Sequence, residues 1–235
     1  TYSTSTSSSA PKGVALGGDG RIWFTESTGN KIGYATTSSG SITEYSTGIS
    51  ASAGLLDITA GPDGRLWFTE NSGNRIGAIA TGKDASGSTN GTTAGTVTEY
   101  STGISASAGL GGITAGPDGR IWFTERSGNR VGAITTSGTV TEYSTGITSG
   151  AQPWEIAQGP DGNLWFTERG ANKVAKITTS GTVTEYSGSP ALNQPDAITK
   201  GVDGLVWFTQ DAGNAVSSIN PSSGSMTPVS YTHLR

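Results

Sequence analysis

A short apolar run, a tight polar turn and a second apolar run return five times along this chain. In the second copy Asp57-Ile58-Thr59-Ala60 predicts a strand a, Gly61-Pro62-Asp63-Gly64 a turn, and residues 65–70 a strand b. Pro62 presets φ, Asp63 bonds its own backbone and Gly64 takes a positive φ, so the pair reads as a hairpin. Asn71-Ser72-Gly73-Asn74 turns the chain into a strand c at residues 75–80, and residues 96–101 predict a strand d. The ten-residue block 61–70 recurs at 17–26, 116–125, 159–168 and 201–210. Its tryptophans, Trp23, Trp67, Trp122, Trp165 and Trp207, stand 44, 55, 43 and 42 residues apart, a spacing typical of propeller blades.

Strand b decides how such units pack. Leu66, Trp67 and Phe68 are consecutive, and neighbouring side chains of a strand point to opposite faces, so both faces of the sheet need a cover. Strands a and b are apolar whereas strand d, Thr96-Val97-Thr98-Glu99-Tyr100, is an outer, wetter strand. Radial stacking satisfies both facts, and the expected fold is an all-β propeller of five four-stranded antiparallel blades in one domain over residues 1–235. Residues 1–4 resemble the end of a strand d, and residues 225–230 supply one to the fifth unit. The chain therefore reads either as a closed five-blade ring or as a piece of a six- or seven-bladed array, with self-association expected if the ring is open. Residues 231–235, Tyr231 to Arg235, leave the repeat and read as a non-native tail. The insertion at 82–94 reads as a surface loop, in which Asn90-Gly91-Thr92 matches a glycosylation triplet.

Composition narrows the function classes. The 235 residues hold no cysteine, which excludes disulfides and thiolate metal sites, and 37 glycines match many tight turns. A net charge of −4 with only 14% charged residues gives no basic field for nucleic acid or an anionic membrane, and no apolar run is long enough for a span. The Gly, Ser and Thr content suits a secreted or surface protein better than a cytoplasmic one.

In a four-stranded meander the b–c turns and d–a connections share one face. The d–a connections, residues 46–56, 101–111, 144–154 and 187–196, are long, and long loops on a rigid scaffold carry function. Two rings border this face. At the end of strand b stand Glu26, Glu70, Glu125, Glu168 and Gln210. Such carboxylates suit a divalent cation. Across the b–c turn, however, they face Lys31, Arg75, Arg130 and Lys173, and both partners vanish together in the fifth unit as Gln210 and Ala215. Cross-strand ion pairs of about 0.2–1 kcal/mol each are the expected role. At the start of strand a the units differ: Lys12-Gly13, Leu56-Asp57, Gly111-Gly112, Trp154-Glu155 and Asp196-Ala197. Lys12, Asp57, Trp154, Glu155 and Asp196 are the candidate ligand-binding residues, clustered at the channel mouth. His233, the one histidine, lies in the tail, so neither an imidazole base nor a His-ligated metal is supported.

Ile-Thr-Ala-Gly-Pro-Asp-Gly-Arg-Leu-Trp-Phe-Thr-Glu, followed by Gly-Asn-Arg-Ile-Gly and Thr-Val-Thr-Glu-Tyr, resembles the streptogramin (virginiamycin B) lyase family over residues 13 to about 230. The resemblance implies a seven-bladed propeller that opens a cyclic depsipeptide by metal-assisted elimination, using histidine and glutamate on one face and magnesium as cofactor. Where a family histidine before Gly-Ile would be sought stand Lys12, Leu56, Gly111, Trp154 and Asp196, so the base is not carried over. Of the acids, only the strand b glutamates match. The leading expectation is a non-catalytic scaffold, with no cofactor, binding a small molecule, glycan, peptide or protein on the d–a face. The alternatives are a metal-dependent carbon–oxygen lyase, and a structural repeat segment of a larger surface protein.

Overall fold

The computed structural model describes residues 3–36, 40–89, 91–188 and 191–229. They form five antiparallel meanders and no helix. Blade I holds β1 (Pro11–Leu16), β2 (Ile22–Glu26), β3 (Lys31–Ala35) and β4 (Ile42–Tyr45). Blade II holds β5 (Leu55–Ala60), β6 (Leu66–Glu70), β7 (Arg75–Ile79) and β8 (Val97–Tyr100). Blade III holds β9 (Leu110–Ala115), β10 (Ile121–Glu125), β11 (Arg130–Ile134) and β12 (Val140–Tyr143). Blade IV holds β13 (Pro153–Gln158), β14 (Leu164–Glu168), β15 (Lys173–Ile177) and β16 (Val183–Tyr186). Blade V holds β17 (Pro195–Lys200), β18 (Val206–Gln210), β19 (Ala215–Ile219) and β20 (Met226–Pro228).

The core lies between blades rather than within them. Trp23 of blade I packs with Leu66, Phe68 and Ile79 of blade II, and Trp67, Trp122 and Trp165 repeat this against the next blade. Each strand b indole N–H donates back to the turn aspartate of its own hairpin, as from Trp67 to Asp63 at 3.1 Å and from Trp122 to Asp118 at 3.1 Å. A strand d tyrosine stacks on the ring, Tyr100 on Trp67 and Tyr143 on Trp122, with centroids 5.4 Å apart. The turn aspartates thus fix a polar handle that a buried tryptophan must satisfy.

Strand a starts earlier than the apolar pattern predicts, at Leu55 rather than Asp57 in blade II, because its first residues form a β-bulge. All five inner strands carry this bulge, between Pro11 and Val14, Leu55 and Ile58, Leu110 and Ile113, Pro153 and Ile156, and Pro195 and Ile198. A bulge leaves an amide unpaired in the ladder and re-aims its side chain. The strand b threonines take up these amides. Thr25, Thr69, Thr124 and Thr167 accept from the N–H of Gly13, Asp57, Gly112 and Glu155, and donate to the carbonyls of Leu56, Gly111, Trp154 and Asp196 in the following blade.

The d–a connections are latched at both ends. Asn74, in the left-handed conformation at φ 53°, ends the b–c turn and bonds Ser105 O and Ala108 N of the connection leading into blade III. The same connection gives its Ser105 N–H and hydroxyl to Glu142 on β12. Residues 3–9 take the equivalent place ahead of blade I, with Ser5 and Thr6 donating to Glu44. Ser3 and Thr4 thus begin a connection, as Ser46 and Thr47 do after β4. Thr1 and Tyr2, the glycosylation candidate Asn90, and residues 230–235 with His233 and the predicted tail lie outside the described residues.

The inner strands pack in series β1, β5, β9, β13, β17, and no comparable packing returns from β17 to β1 among the described residues. The five blades form an open arc rather than the closed ring. Its ends show what an uncovered blade face looks like: Val14 is 66% and Leu16 61% exposed on blade I. On blade V, Trp207 is only half-buried, beside a groove lined by Ile198, Phe208 and Val216. Replacing an interior anchor should therefore cost far more than replacing the terminal one. Trp122→Ala should destabilise by about 3–5 kcal/mol in urea unfolding, the usual cost of a deleted buried tryptophan. Trp207→Ala should cost well under half of that, and equal losses would overturn the inter-blade core.

Candidate functional site

Both rings named from the sequence exist, but their chemistry differs. The strand b glutamates Glu26, Glu70, Glu125 and Glu168 are fully buried, and their carboxyl oxygens find no hydrogen-bond donor among the described residues. The turn glycines lie over them, so that a methyl at Gly73 or Gly128 would stand 2.8 Å from Oε2. Two of the four expected cross-strand ion pairs form, and the two with lysine are displaced. Lys31 pairs with Glu44 at 2.6 Å and Lys173 with Glu185 at 2.5 Å, both on strand d. Arg75 and Arg130 sit between two acids, 3.9 Å from Glu70 and 3.6 Å from Glu99, and 3.6 Å from Glu125 and 3.8 Å from Glu142. The unit is a glutamate–base–glutamate triad. One base cannot neutralise two carboxylates, and the better solvated one keeps its charge.

Burial first, and then the strand d carboxylate, push Glu70, Glu125 and Glu168 up to about 8. Burial also raises Glu26. The partners Glu99, Glu142 and Glu185 are held below the ordinary range: burial opposes this, but serine or threonine donors and the neighbouring base outweigh it. Blade V shows the neutral form of the triad in amino acids. Gln210 replaces the protonated glutamate, accepting from Asn193 N at 2.8 Å and donating to Ser217 Oγ at 2.9 Å. Ala215 replaces the base, and Pro228, opposite Ser217, replaces the strand d glutamate. A cavity of about 170 Å³ fills the space the triad vacates.

The bulges at the start of each inner strand fall on residues 12–13, 56–57, 111–112, 154–155 and 196–197. Lys12, Asp57, Trp154 and Glu155 line one cavity of about 270 Å³. Asp196 stands beside it, bound to Arg169 at 3.0 Å. Three residues were not visible as site residues in the sequence: Arg126, Arg169 and Asp211. They follow the last residue of strand b directly, where the other blades have Ser27 and Asn71, and this variation was the available signal. The Arg126 and Arg169 guanidiniums lie 3.5 and 4.9 Å from the Trp154 ring centre. Arg126 Nη2 reaches Glu155 at 3.4 Å, and Arg169 also holds Asp211 at 2.6 Å. Arg126 and Trp154 together separate the first cavity from a second, of about 260 Å³, lined by Asn71, Ser127 and Gln152.

Of the acids, Asp57 is committed to structure. Its two oxygens accept from Ile58 N at 2.8 Å and from Ile113 N of the next blade at 3.0 Å. Burial nevertheless raises its pKa. Glu155 is pushed up to about 8, chiefly by burial and then by Asp57, with Arg126 acting against them. Burial lowers the pKa of Arg126.

The virginiamycin B lyase family profile matches residues 1–89 and 83–231. The chain belongs to the virginiamycin B lyase family. A streptogramin B lyase structure is 33% identical, with a TM-score of 0.86 over 99% of this chain and 72% of its own. The selenomethionine-substituted virginiamycin B lyase from Staphylococcus aureus is 35% identical, with a TM-score of 0.84 over 97% and 72%. A catalytically inactive histidine-to-alanine variant of the S. aureus enzyme with Quinupristin is 34% identical, with a TM-score of 0.86 over 98% and 73%. No curated protein matches the chain in sequence.

The metal implied by the virginiamycin B lyase resemblance does not fit the residues present. No three histidine, cysteine, aspartate or glutamate side chains converge on a common point among the described residues. The strand b glutamates are each enclosed in a separate triad, Asp57 is spent on backbone amides, and Asp196 is held by Arg169.

A carboxyl that keeps its proton to about pH 8 in the folded chain, but loses it near 4.5 when unfolded, stabilises the fold fully below pH 4.5. That contribution is lost as pH rises through 8. Glu70→Gln, Glu125→Gln and Glu168→Gln combined should flatten the fall in melting temperature between pH 6 and 9.5. An unchanged fall would mean that these carboxyls are ionised in the folded chain.

Proposed function

We propose that this chain is a non-catalytic propeller scaffold that binds a small molecule, glycan or peptide at the mouth of its channel. The observation that supports this most is the pair of adjoining cavities built on Arg126 and Trp154. They lie where the five units depart from their repeat, on the face of the long d–a connections. By contrast, the strand b tryptophan meets the aspartate of its own hairpin turn in every blade. Two guanidiniums against one partly exposed indole give these cavities a rigid aromatic wall with charged edges.

Family membership supports a second reading, a lyase acting on a streptogramin-type depsipeptide. The relative seen with Quinupristin and inactivated by loss of a histidine is the specific reason to test it. In this chain the residues near the cavities are Lys12, Asp57, Arg126, Trp154 and Glu155, none of them an imidazole.

The two readings separate in one experiment. The chain and its Trp154→Ala variant are screened by thermal shift against neutral and acidic sugars, short peptides and quinupristin. Quinupristin is also incubated with the chain and followed chromatographically for ring opening. Binding at the channel mouth predicts a stabilising ligand whose effect falls at least about tenfold in affinity in the variant, as expected when a central aromatic contact of about 1.4 kcal/mol or more is removed. A ligand that stabilises both proteins equally binds elsewhere and overturns the site. Ring opening of quinupristin by the purified chain would replace the first reading with the second.

A further inference from the structure

Arg126 is an incompletely satisfied guanidinium at the channel mouth, with its Nε buried and without a partner. It leaves β10 directly and crosses toward the channel over Gly111 of its own blade, where an added methyl would stand 2.5 Å from Nε. Only a glycine leaves that path open, and Gly112 beside it does the same for Glu155, whose Oε2 would meet a methyl there at 2.5 Å. The two glycines, in place of the Leu56-Asp57 and Trp154-Glu155 of neighbouring blades, clear the floor on which this guanidinium and this carboxyl meet. The plane of Arg126 is fixed against Trp154 at 3.5 Å. Its Nε is buried without a partner, and its Nη edge has only the long contact to Glu155 at 3.4 Å.

The charged groups facing Arg126 leave most of its N–H donors without a hydrogen-bond acceptor. They are Glu155, Asp57, Asp196 and Arg169. Asp57 is bound to two backbone amides, and Asp196 is bound to Arg169. Glu155, buried beside Asp57, holds its proton to about pH 8 and so remains an uncharged neighbour at neutral pH. Lys12, with an exposed side chain, lines the same cavity. A guanidinium presents parallel N–H donors that match the two oxygens of a carboxylate.

We propose that the cavity between Lys12 and Arg126 is a carboxylate-binding subsite, with the Nη edge of Arg126 donating to both ligand oxygens and Lys12 facing them. This deepens, and rests on, the reading of the channel mouth as a ligand site. Glu155 competes for the same guanidinium edge once it ionises. Binding should therefore weaken as pH rises past 8, by about tenfold one unit above that value, where ionised Glu155 outnumbers the protonated form tenfold. Glu155→Gln should bind as well at pH 9 as at pH 6.5.

The test follows the arginine side-chain N–H resonances of the full chain by NMR, with Arg126 identified from its loss in Arg126→Lys. Sodium glucuronate, glucose and inorganic phosphate are titrated at constant ionic strength. Glucuronate should shift the Arg126 signal saturably at pH 6.5 while glucose leaves it unmoved, and Glu155→Gln should abolish the weakening at pH 9. An unmoved Arg126 signal, saturation by phosphate alone, or parallel drift of all arginines would overturn the carboxylate subsite. A ligand that depends on Trp154 but leaves Arg126 unmoved overturns this inference and spares the broader one. Glucuronate held at Arg126, with no screened ligand depending on Trp154, does the reverse.

Discussion

Adjacent apolar residues in strand b are the constraint from which the rest of this structure follows. Trp122 and Phe123 are neighbours on one strand and therefore face opposite sides of a sheet, and both are fully buried. A single sheet cannot hide both, so each blade is stable only between two others. The indole enters the gap on one side, where Leu164 and Phe166 of the next blade receive it. The phenyl ring enters the gap on the other side, among Trp67, Leu110 and Ile121. Phe123 also lies flat across Gly132 on the paired strand, where any Cβ would collide with the ring. The open ends of the arc, with Val14 and Leu16 exposed and Trp207 half-covered, are the same constraint seen unsatisfied.

Polar groups then set the spacing and pitch that apolar packing leaves free. The strand b threonine uses both functions of its hydroxyl, accepting from the bulged amide of its own blade and donating to the carbonyl of the next. The left-handed asparagine at the end of the b–c turn clamps the connection to the following blade. The buried glutamate triads close the same end of blades I to IV with one base shared between two carboxyls. The threonines also hold the candidate site: the bulge re-aims the first residues of strand a into the channel, and the threonine hydroxyls bond the backbone of Asp57, Trp154, Glu155 and Asp196 there.

The repeats could be read from the sequence because tryptophan, Gly-Pro-Asp-Gly and the apolar pair recur as local patterns. The candidate ring at Lys12, Asp57, Trp154, Glu155 and Asp196 was legible for the opposite reason, as the place where the units stop agreeing. Arg126 and Arg169 escaped notice although they follow strand b directly, since an arginine after a strand reads as a solvated turn residue. Their role depends on reaching Trp154, on a separate strand and, for Arg126, in a separate blade. The sequence sets each strand b glutamate of the first four blades against a base across the turn, but does not show its charge state. Sequence places Glu70 opposite Arg75, and only the fourth strand brings Glu99 to compete for that base.

The sequence by itself determined the blade, its four strands and the family, because all three rest on residues within about forty positions of one another. Tertiary structure alone decided that the five blades stay an open arc, that a base is shared by two glutamates, and that Asp57 is a strap between blades. It also decided that Gly111 and Gly112 make room for Arg126 against Trp154. Each of these depends on which blade face meets which neighbour and on the burial that results, and burial fixes both the charge of a carboxyl and the partners left to an arginine.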